Sequence, residues 1–405
     1  PKWAADSIES KADIEYMSQK DINAEYELVR HTLVARLNVW KRSIDKEAAE
    51  YLHFGATTVD IWDTVLVLQL NDTLDLLVAD LLDVETSLLK LTKDNLETYM
   101  TGRTLGQHAL PITFGKKVST WLAENRRNIE RLRHVQSKIN KSGILKGAVG
   151  SYLGLGEQAI QTEALMMKNL GLNEPAKDDW HGIRDVFAEY ALTLAIISKS
   201  FGRIGHELTL LQMTELGETE EDLGSKAVGS STMPQKKNPR GPGKLIEYSR
   251  LIPRISEVVL DDMVNSFERD GAKSDSELKL VSISTQEMIN VAKPLLKTLR
   301  VNKIRMRENL NLTNGLILSQ RLTFYLADVI GKDTANDLMH DVAKFALNNN
   351  LSLKEAALQN EIITENITEK ELDRILDPET YVGLAIQQAQ MIIEEIHAKR
   401  LADNL

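Results

Sequence analysis

Between residues 63 and 100 the apolar positions follow a helical rule. Leu66, Leu70, Leu74, Leu77, Leu81, Val84, Leu88 and Leu91 recur at steps of four and three. Heptad spacing of this kind places all eight on one stripe of an α-helix and marks a helix packed along its length against others. Similar periodicity predicts helices over 115–140, 157–170, 184–216, 243–265 and 276–301. Proline, which breaks helix interiors, is absent from long stretches of the chain and so leaves room for very long helices. None falls between Pro1 and Pro111, and further gaps run from Pro111 to Pro175, Pro175 to Pro234 and Pro294 to Pro378. No segment alternates as a strand does. The chain reads as all-α, a long-helix bundle. Stripes this wide need cover from other helices, and association into a symmetric bundle is the simplest source of it.

Turn chemistry divides the 405 residues into a small helical domain over 1–55, read as incomplete, a long-helix domain over 56–312, and a compact helical domain over 313–405. With no cysteine there are no disulfides or thiolate metal sites, in keeping with a cytoplasmic compartment. No apolar run has the length of a membrane span, so no membrane partner is expected. The net charge of −10 disfavours a nucleic-acid surface. Small anions remain suitable substrates, because a local cluster of Lys and Arg can dominate one cleft. The glycine-dense 147–156 stretch follows no strand and does not read as a nucleotide loop.

The densest chemistry lies in Gly229-Ser230-Ser231-Thr232-Met233-Pro234-Gln235-Lys236-Lys237-Asn238-Pro239. Hydroxyls, ammonium groups, an amide and two prolines make poor helix and a good polar loop for an anion. The loop, bounded here as 224–243 between two helical segments, resembles the signature loop of the fumarase/aspartase superfamily, in its adenylosuccinate lyase and 3-carboxy-cis,cis-muconate cycloisomerase branch. The resemblance implies that Ser230 is the general base and that Lys236 and Asn238 hold the substrate carboxylate and the charge developing on it. Ser231 and Met233 would line the substrate. It also implies a homotetramer whose central helices form one shared core, with each site assembled from three subunits.

Two further segments carry the resemblance. His53-Phe54-Gly55-Ala56-Thr57-Thr58-Val59-Asp60-Ile61-Trp62-Asp63-Thr64 is similar to a pattern of the same branch. Thr57 with Asp60 three residues on also reads as a capped helix start. A helix N-terminus offers free N–H groups to a carboxylate, which suits Thr57 and Thr58; His53 is placed at the same site. The second segment, Thr101-Gly102-Arg103-Thr104-Leu105-Gly106-Gln107-His108-Ala109-Leu110-Pro111, has one large departure. Leu105 stands where adenylosuccinate lyases carry their general-acid histidine, and leucine cannot transfer a proton. Arg103, Gln107 and His108 are expected substrate contacts. His31 matches a second active-site histidine of those lyases and is the candidate acid.

Further on, Ile183 replaces the family's Gln before Arg184-Asp185, and Phe267-Glu268-Arg269-Asp270 resembles a site-lining segment that nominates Arg269. Ser319-Gln320-Arg321 is similar to adenylosuccinate lyases and nominates Arg321, whereas 376–383 is closer to the cycloisomerases. An Arg associated with the nucleotide phosphate falls at Leu278. The resemblance implies proton removal next to a carboxylate through an aci-carboxylate intermediate, with no metal or organic cofactor. A carboxymuconate-type cycloisomerase is the first expectation. Elimination of fumarate from a succinyl-amine is the alternative, and a non-catalytic, crystallin-like structural protein is the reading from another class.

Overall fold

The computed structural model describes residues 1–178, 181–224, 229–271 and 273–404. Its main helices are α1 (Thr32–Lys41), α2 (Thr58–Asp94), α3 (Phe114–Ile139), α4 (Asp185–Leu211), α5 (Arg240–Asp261), α6 (Asp275–Lys297), α7 (Ser319–Ile330) and α8 (Ala385–Ala402). The chain divides into two compact units. The first comprises Pro1–Asp75, Arg133–Leu192 and Glu257–Lys279; the second comprises Leu76–Leu132, Thr193–Ser256 and Leu280–Leu405.

The heptad stripe is the buried face of α2. None of its eight residues is more than 8% exposed, and Leu74, Leu77, Leu81, Val84 and Leu88 are fully covered. Burying such a leucine contributes about 1.5–3 kcal/mol, so this face is a main source of helix stability. In the first unit a small core forms from Ala4, Ile44, Ala48 and Ala49 beneath Trp40. In the second unit the C-terminal segment packs around Leu322, Leu326, Met339, Val342, Leu353 and Leu372.

Two expectations are corrected. Helix α2 stops at Asp94, not at 100, because Asn95 turns back on it. The Asn95 amide donates to the Leu91 carbonyl (2.8 Å), and Thr98 Oγ1 donates to Asn95 Oδ1 (2.9 Å). The chain then enters strands, which the sequence pattern did not reveal. Strands β1 (Tyr99–Thr104) and β2 (Gln107–Thr113) form an antiparallel hairpin with a register shift at Gly102/Arg103. Gly102 and Pro111 read as breakers, and buried Met100 and Thr101 are adjacent rather than alternating. The turn residues Leu105 and Gly106 have φ of 53° and 79°. Two positive φ values at a two-residue apex make the tight turn that matches strand twist. A short ladder, β3 (Thr219–Glu220) with β4 (Arg300–Val301), completes the described strands.

One close approach positions the signature loop. A Cβ on Gly205 in α4 would lie 2.6 Å from the Pro242 carbonyl oxygen, so only glycine lets the first turn of α5 sit this near.

Candidate active site

The signature loop leaves β3 and returns at Arg240. Of its expected span, residues 225–228 lie outside the described residues. A Cβ on Gly229 would meet the Lys236 carbonyl oxygen at 2.5 Å, so glycine is what lets the loop close on itself. Asn238 Nδ2 ties the same neck by donating to the Gly229 carbonyl (3.1 Å). At the stem, Lys237 pairs with Glu220 (2.8 Å) and Arg300 with Asp222 (2.9 Å). The Gly241 amide donates to Glu221 (3.0 Å). The stem is pinned while residues 231–237 are exposed.

Ser230 is half-buried, and its Oγ accepts from the amides of Met233 (3.2 Å) and Thr232 (3.4 Å). Two N–H dipoles aimed at one hydroxyl oxygen favour its ionised form. Ser231 and Met233 are exposed beside it. Among the described residues, the Lys236 ammonium has no ion pair. It borders a cleft of about 820 Å³ lined also by Gln212, Thr219, Lys237, Asn238 and Arg300. A loop with a hydroxyl between amides, an available ammonium and an amide can accept a proton and hold a carboxylate.

The hairpin in the same unit carries three of the expected contacts. Arg103 gives both terminal nitrogens to buried Glu218, at 2.6 and 3.0 Å, and so anchors the hairpin. Glu218 also accepts from Asn309 Nδ2 (2.8 Å). His108 lies across from Arg103, with Nδ1 buried and, among the described residues, without a hydrogen-bond partner. Burial lowers its pKa, Arg103 lowers it further and Glu218 opposes, so the neutral imidazole is favoured. Gln107 is exposed. Leu105 is fully exposed at the apex. Arg321 clamps the C-terminal domain: Nη1 donates to the carbonyls of Ile375 (2.9 Å) and Asp377 (3.1 Å) and to Thr380 Oγ1 (2.8 Å). Its guanidinium also covers the Tyr381 ring.

The remaining expected residues belong to the first unit. His31 caps α1, its Nδ1 accepting from the Val34 amide (3.3 Å). His53 has a φ of 63° and is half-buried. Burial lowers its pKa against the pull of Asp60, with Lys41 and His31 helping. Thr57 and Thr58 open α2, and the Thr57 amide donates to Asp60 Oδ2 (2.9 Å), which is half of a capping box. Arg269 is half-buried with Nη1 covered and, among the described residues, unpaired; Phe267 two residues earlier is exposed at a φ of 60°.

Sequence reasoning missed the acidic stem Glu218, Glu220, Glu221 and Asp222, and it read Asp60 only as a cap. The signal for the stem was a run of carboxylates just before a lysine-bearing loop. For Asp60 it was a second aspartate, Asp63, one turn along the same helix. Among the described residues no group of side chains has the makings of a metal site, and no helix is long and apolar enough to cross a membrane.

The family described as Lyase matches residues 6–252, and the Adenylosuccinate lyase C-terminus matches 315–392. The chain is 35% identical to an N-acetyl-S-(2-succino)cysteine lyase from Dickeya dadantii, over 97% of this chain and 87% of that one. It is 33% identical to the adenylosuccinate lyase of Methanocaldococcus jannaschii, over 99% and 87%. Among solved structures, the 3-carboxy-cis,cis-muconate lactonizing enzyme from Pseudomonas putida superposes with a TM-score of 0.90 at 29% identity, covering 98% of this chain and 89% of that one. With the serine-lysine-asparagine loop, the long-helix architecture and these matches together, the chain belongs to the fumarase/aspartase superfamily, in the branch that holds adenylosuccinate lyases and carboxymuconate cycloisomerases, and is an enzyme of that superfamily.

Proposed function

We propose that this enzyme eliminates fumarate from an S-succinyl thioether of the N-acetyl-S-(2-succino)cysteine type. The observation that carries the reading is Leu105 at the hairpin apex, where no proton can be given to a leaving group. An amine cannot depart as its anion in water and needs a general acid. A thiolate can depart unprotonated, since a free thiol has a pKa of only about 8.5. The 35% identity to a lyase with that substrate in its name supports the same choice.

In this reading Ser230 Oγ, ionised between the amides of Thr232 and Met233, takes the proton from the carbon next to one carboxylate. The electron pair moves into that carboxylate, giving an aci-carboxylate. Lys236 and Asn238 hold the new charge. In the first unit, taken by itself, the N-terminus of α2 with Thr57 and Thr58 offers N–H groups and hydroxyls to a carboxylate. Collapse of the aci-carboxylate forms the carbon–carbon double bond and breaks the carbon–sulfur bond. Fumarate and a thiolate leave. Each preorganised donor of this kind typically contributes about 3–4 kcal/mol to the barrier reduction.

Cycloisomerisation of a carboxymuconate stands second, favoured by the 0.90 TM-score to the lactonizing enzyme. There the oxygen nucleophile is itself a carboxylate, so no acid is needed at that oxygen, and the proton that the carbon next to the other carboxylate gains would come from the Ser230 hydroxyl. The test is a parallel ultraviolet assay of N-acetyl-S-(2-succino)cysteine, adenylosuccinate and 3-carboxy-cis,cis-muconate. The expected result is fumarate release from the thioether with kcat/KM of about 10⁴ M⁻¹ s⁻¹ or more, and at least 100-fold less on the other two. Faster turnover of either competitor overturns the thioether reading.

The active form is proposed to be a homotetramer. In the second unit Leu76, Ile196, Leu251 and Ile283 are 63%, 49%, 43% and 56% exposed on long helices, an apolar display that calls for cover. Light scattering should give the mass of four chains; a monomer at micromolar concentration would rule this assembly out.

A further inference from the structure

We propose that His181 is a positioning residue: wedged between Asp60 and Asp63, it fixes the first turn of α2, where Thr57 and Thr58 sit, to the 146–147 loop and to Lys273. The inference rests on the reading of that turn as a carboxylate anchor, and it adds a residue to which no role had been given.

Asp60, Asp63 and His181 are all buried, with side chains at most 1% exposed. Asp60 gathers four donors. Its Oδ2 accepts from the amides of Thr57 (2.9 Å) and Gly147 (3.0 Å). Its Oδ1 accepts from the Lys146 amide (3.1 Å) and lies 3.1 Å from His181 Nε2. One turn on, Asp63 pairs with Arg184 Nη1 (2.9 Å) and Lys273 Nζ (2.7 Å), and its Oδ2 lies 3.7 Å from His181 Nδ1. Three separate stretches of chain therefore meet on two adjacent carboxylates, and the imidazole touches both.

Charge decides how the imidazole must sit. Arg184 and Lys273 both serve Asp63, and among the described residues His181 is the basic side chain seated against Asp60. A neutral ring has a single N–H. If Nε2 donates to Asp60, the Nδ1 lone pair faces the Asp63 oxygen and repels it. The imidazolium presents a positive edge to both carboxylates. Burial works against that charge, but the two aspartates outweigh it and raise the pKa above the ordinary 6.5. Asp63 is also buried, yet His181, Arg184 and Lys273 bring it down to about 2. Burial opposes ionisation of Asp60 too, and His181 with the three backbone amides lowers it. His53, which feels Asp60, is shifted the other way and gives up its proton at lower pH than His181. Arg184 also lies 3.9 Å from Asp275. A group with a raised folded pKa holds its partners fully below the unfolded value, and the hold is lost as pH climbs through the folded one. Between pH 6 and 10, where both aspartates stay ionised, the turn should loosen on the alkaline side only.

The decisive variant is His181→Gln, whose side-chain amide can still donate to Asp60 but carries no charge. Two readouts are taken: hydrogen exchange of the amides at 57–61 and 146–147, and KM and kcat for N-acetyl-S-(2-succino)cysteine from pH 6 to 10. In the variant, exchange should quicken and KM rise about tenfold with kcat within twofold, because the anchor is displaced and the base is not. Wild-type enzyme should show the same rise in KM above its His181 pKa, and the variant should be flat across that range. The wild-type profile needs no mutation, so the proposal stays testable if the variant does not fold. Unchanged exchange, or a KM independent of pH in both proteins, overturns it. Thr58→Ala, run alongside, separates the two layers. If it raises KM while His181→Gln does not, the positioning role fails alone; if Thr58→Ala has no effect on KM, the anchor reading fails and takes this inference with it.

Discussion

Ser230→Ala is expected to lower kcat/KM by about 10³–10⁴-fold, the loss that follows removal of a proton-transfer group. The proton in question sits next to a carboxylate and is very weakly acidic, so the base has to be held ionised where charge will form. The structure supplies two amides on Ser230 Oγ and, among the described residues, leaves the Lys236 ammonium without an ion pair on the same loop. Alanine removes the base and leaves that frame standing. Those two hydrogen bonds, the neutral kind, contribute only about 1 kcal/mol each to stability, so the folded state should survive and circular dichroism should be unchanged. Fumarate release measured with enzyme in excess gives the single-turnover rate. Retention of more than a tenth of it would remove Ser230 from the role of base.

Glu85→Leu is expected to cost about 3–5 kcal/mol of stability, the usual consequence of taking one partner from a buried ion pair. Glu85 on α2 is fully buried and takes Arg126 of α3 in a two-pronged grip, at 2.7 and 2.5 Å. Arg400 of α8 adds a third contact at 3.0 Å, and Arg126 reaches on to Asp403 at 2.6 Å. Without the glutamate, a guanidinium only 2% exposed stays in the interior with one carboxylate left to it. The check is the midpoint of guanidinium unfolding followed by tryptophan fluorescence. Glu85→Leu with Arg126→Met should recover most of the loss, because two apolar side chains leave no stranded charge. A single variant within 1 kcal/mol of wild type would show that water or rearrangement relieves the arginine.

The long helices were legible in the sequence because apolar residues at steps of four and three share one face of a helix, whereas on a strand they would scatter over both. Leu66 to Leu91 are buried as that spacing requires. The hairpin was not legible. Its strands are short, glycine and proline interrupt them, and their cross-strand pairing is a property of two segments together. The loop chemistry was legible as residue types, but the amides on Ser230 Oγ were not, since backbone direction leaves no mark in composition. Arg103 and Arg321 show the limit of reading cations one at a time. Their terminal nitrogens go to Glu218 and to the carbonyls of Ile375 and Asp377, partners far away in sequence. The wedge around Asp60 and Asp63 was hidden for the same reason: 121 positions separate His181 from Asp60, and as many separate Arg184 from Asp63.

Leu105 stands at a φ of 53° with its side chain wholly in solvent. A left-handed backbone disfavours leucine by about 1–2 kcal/mol, and histidine and asparagine tolerate it better. Nothing in the core rests on this side chain, so exchanging it asks no repacking of any neighbour. The apex therefore separates two kinds of selection. Mutations in the α2 stripe are filtered for foldability, whereas, on the proposed thioether reading, a single codon at the hairpin tip trades one leaving group for another at almost no structural risk. On that reading, lineages carrying this scaffold would explore new substrates there first.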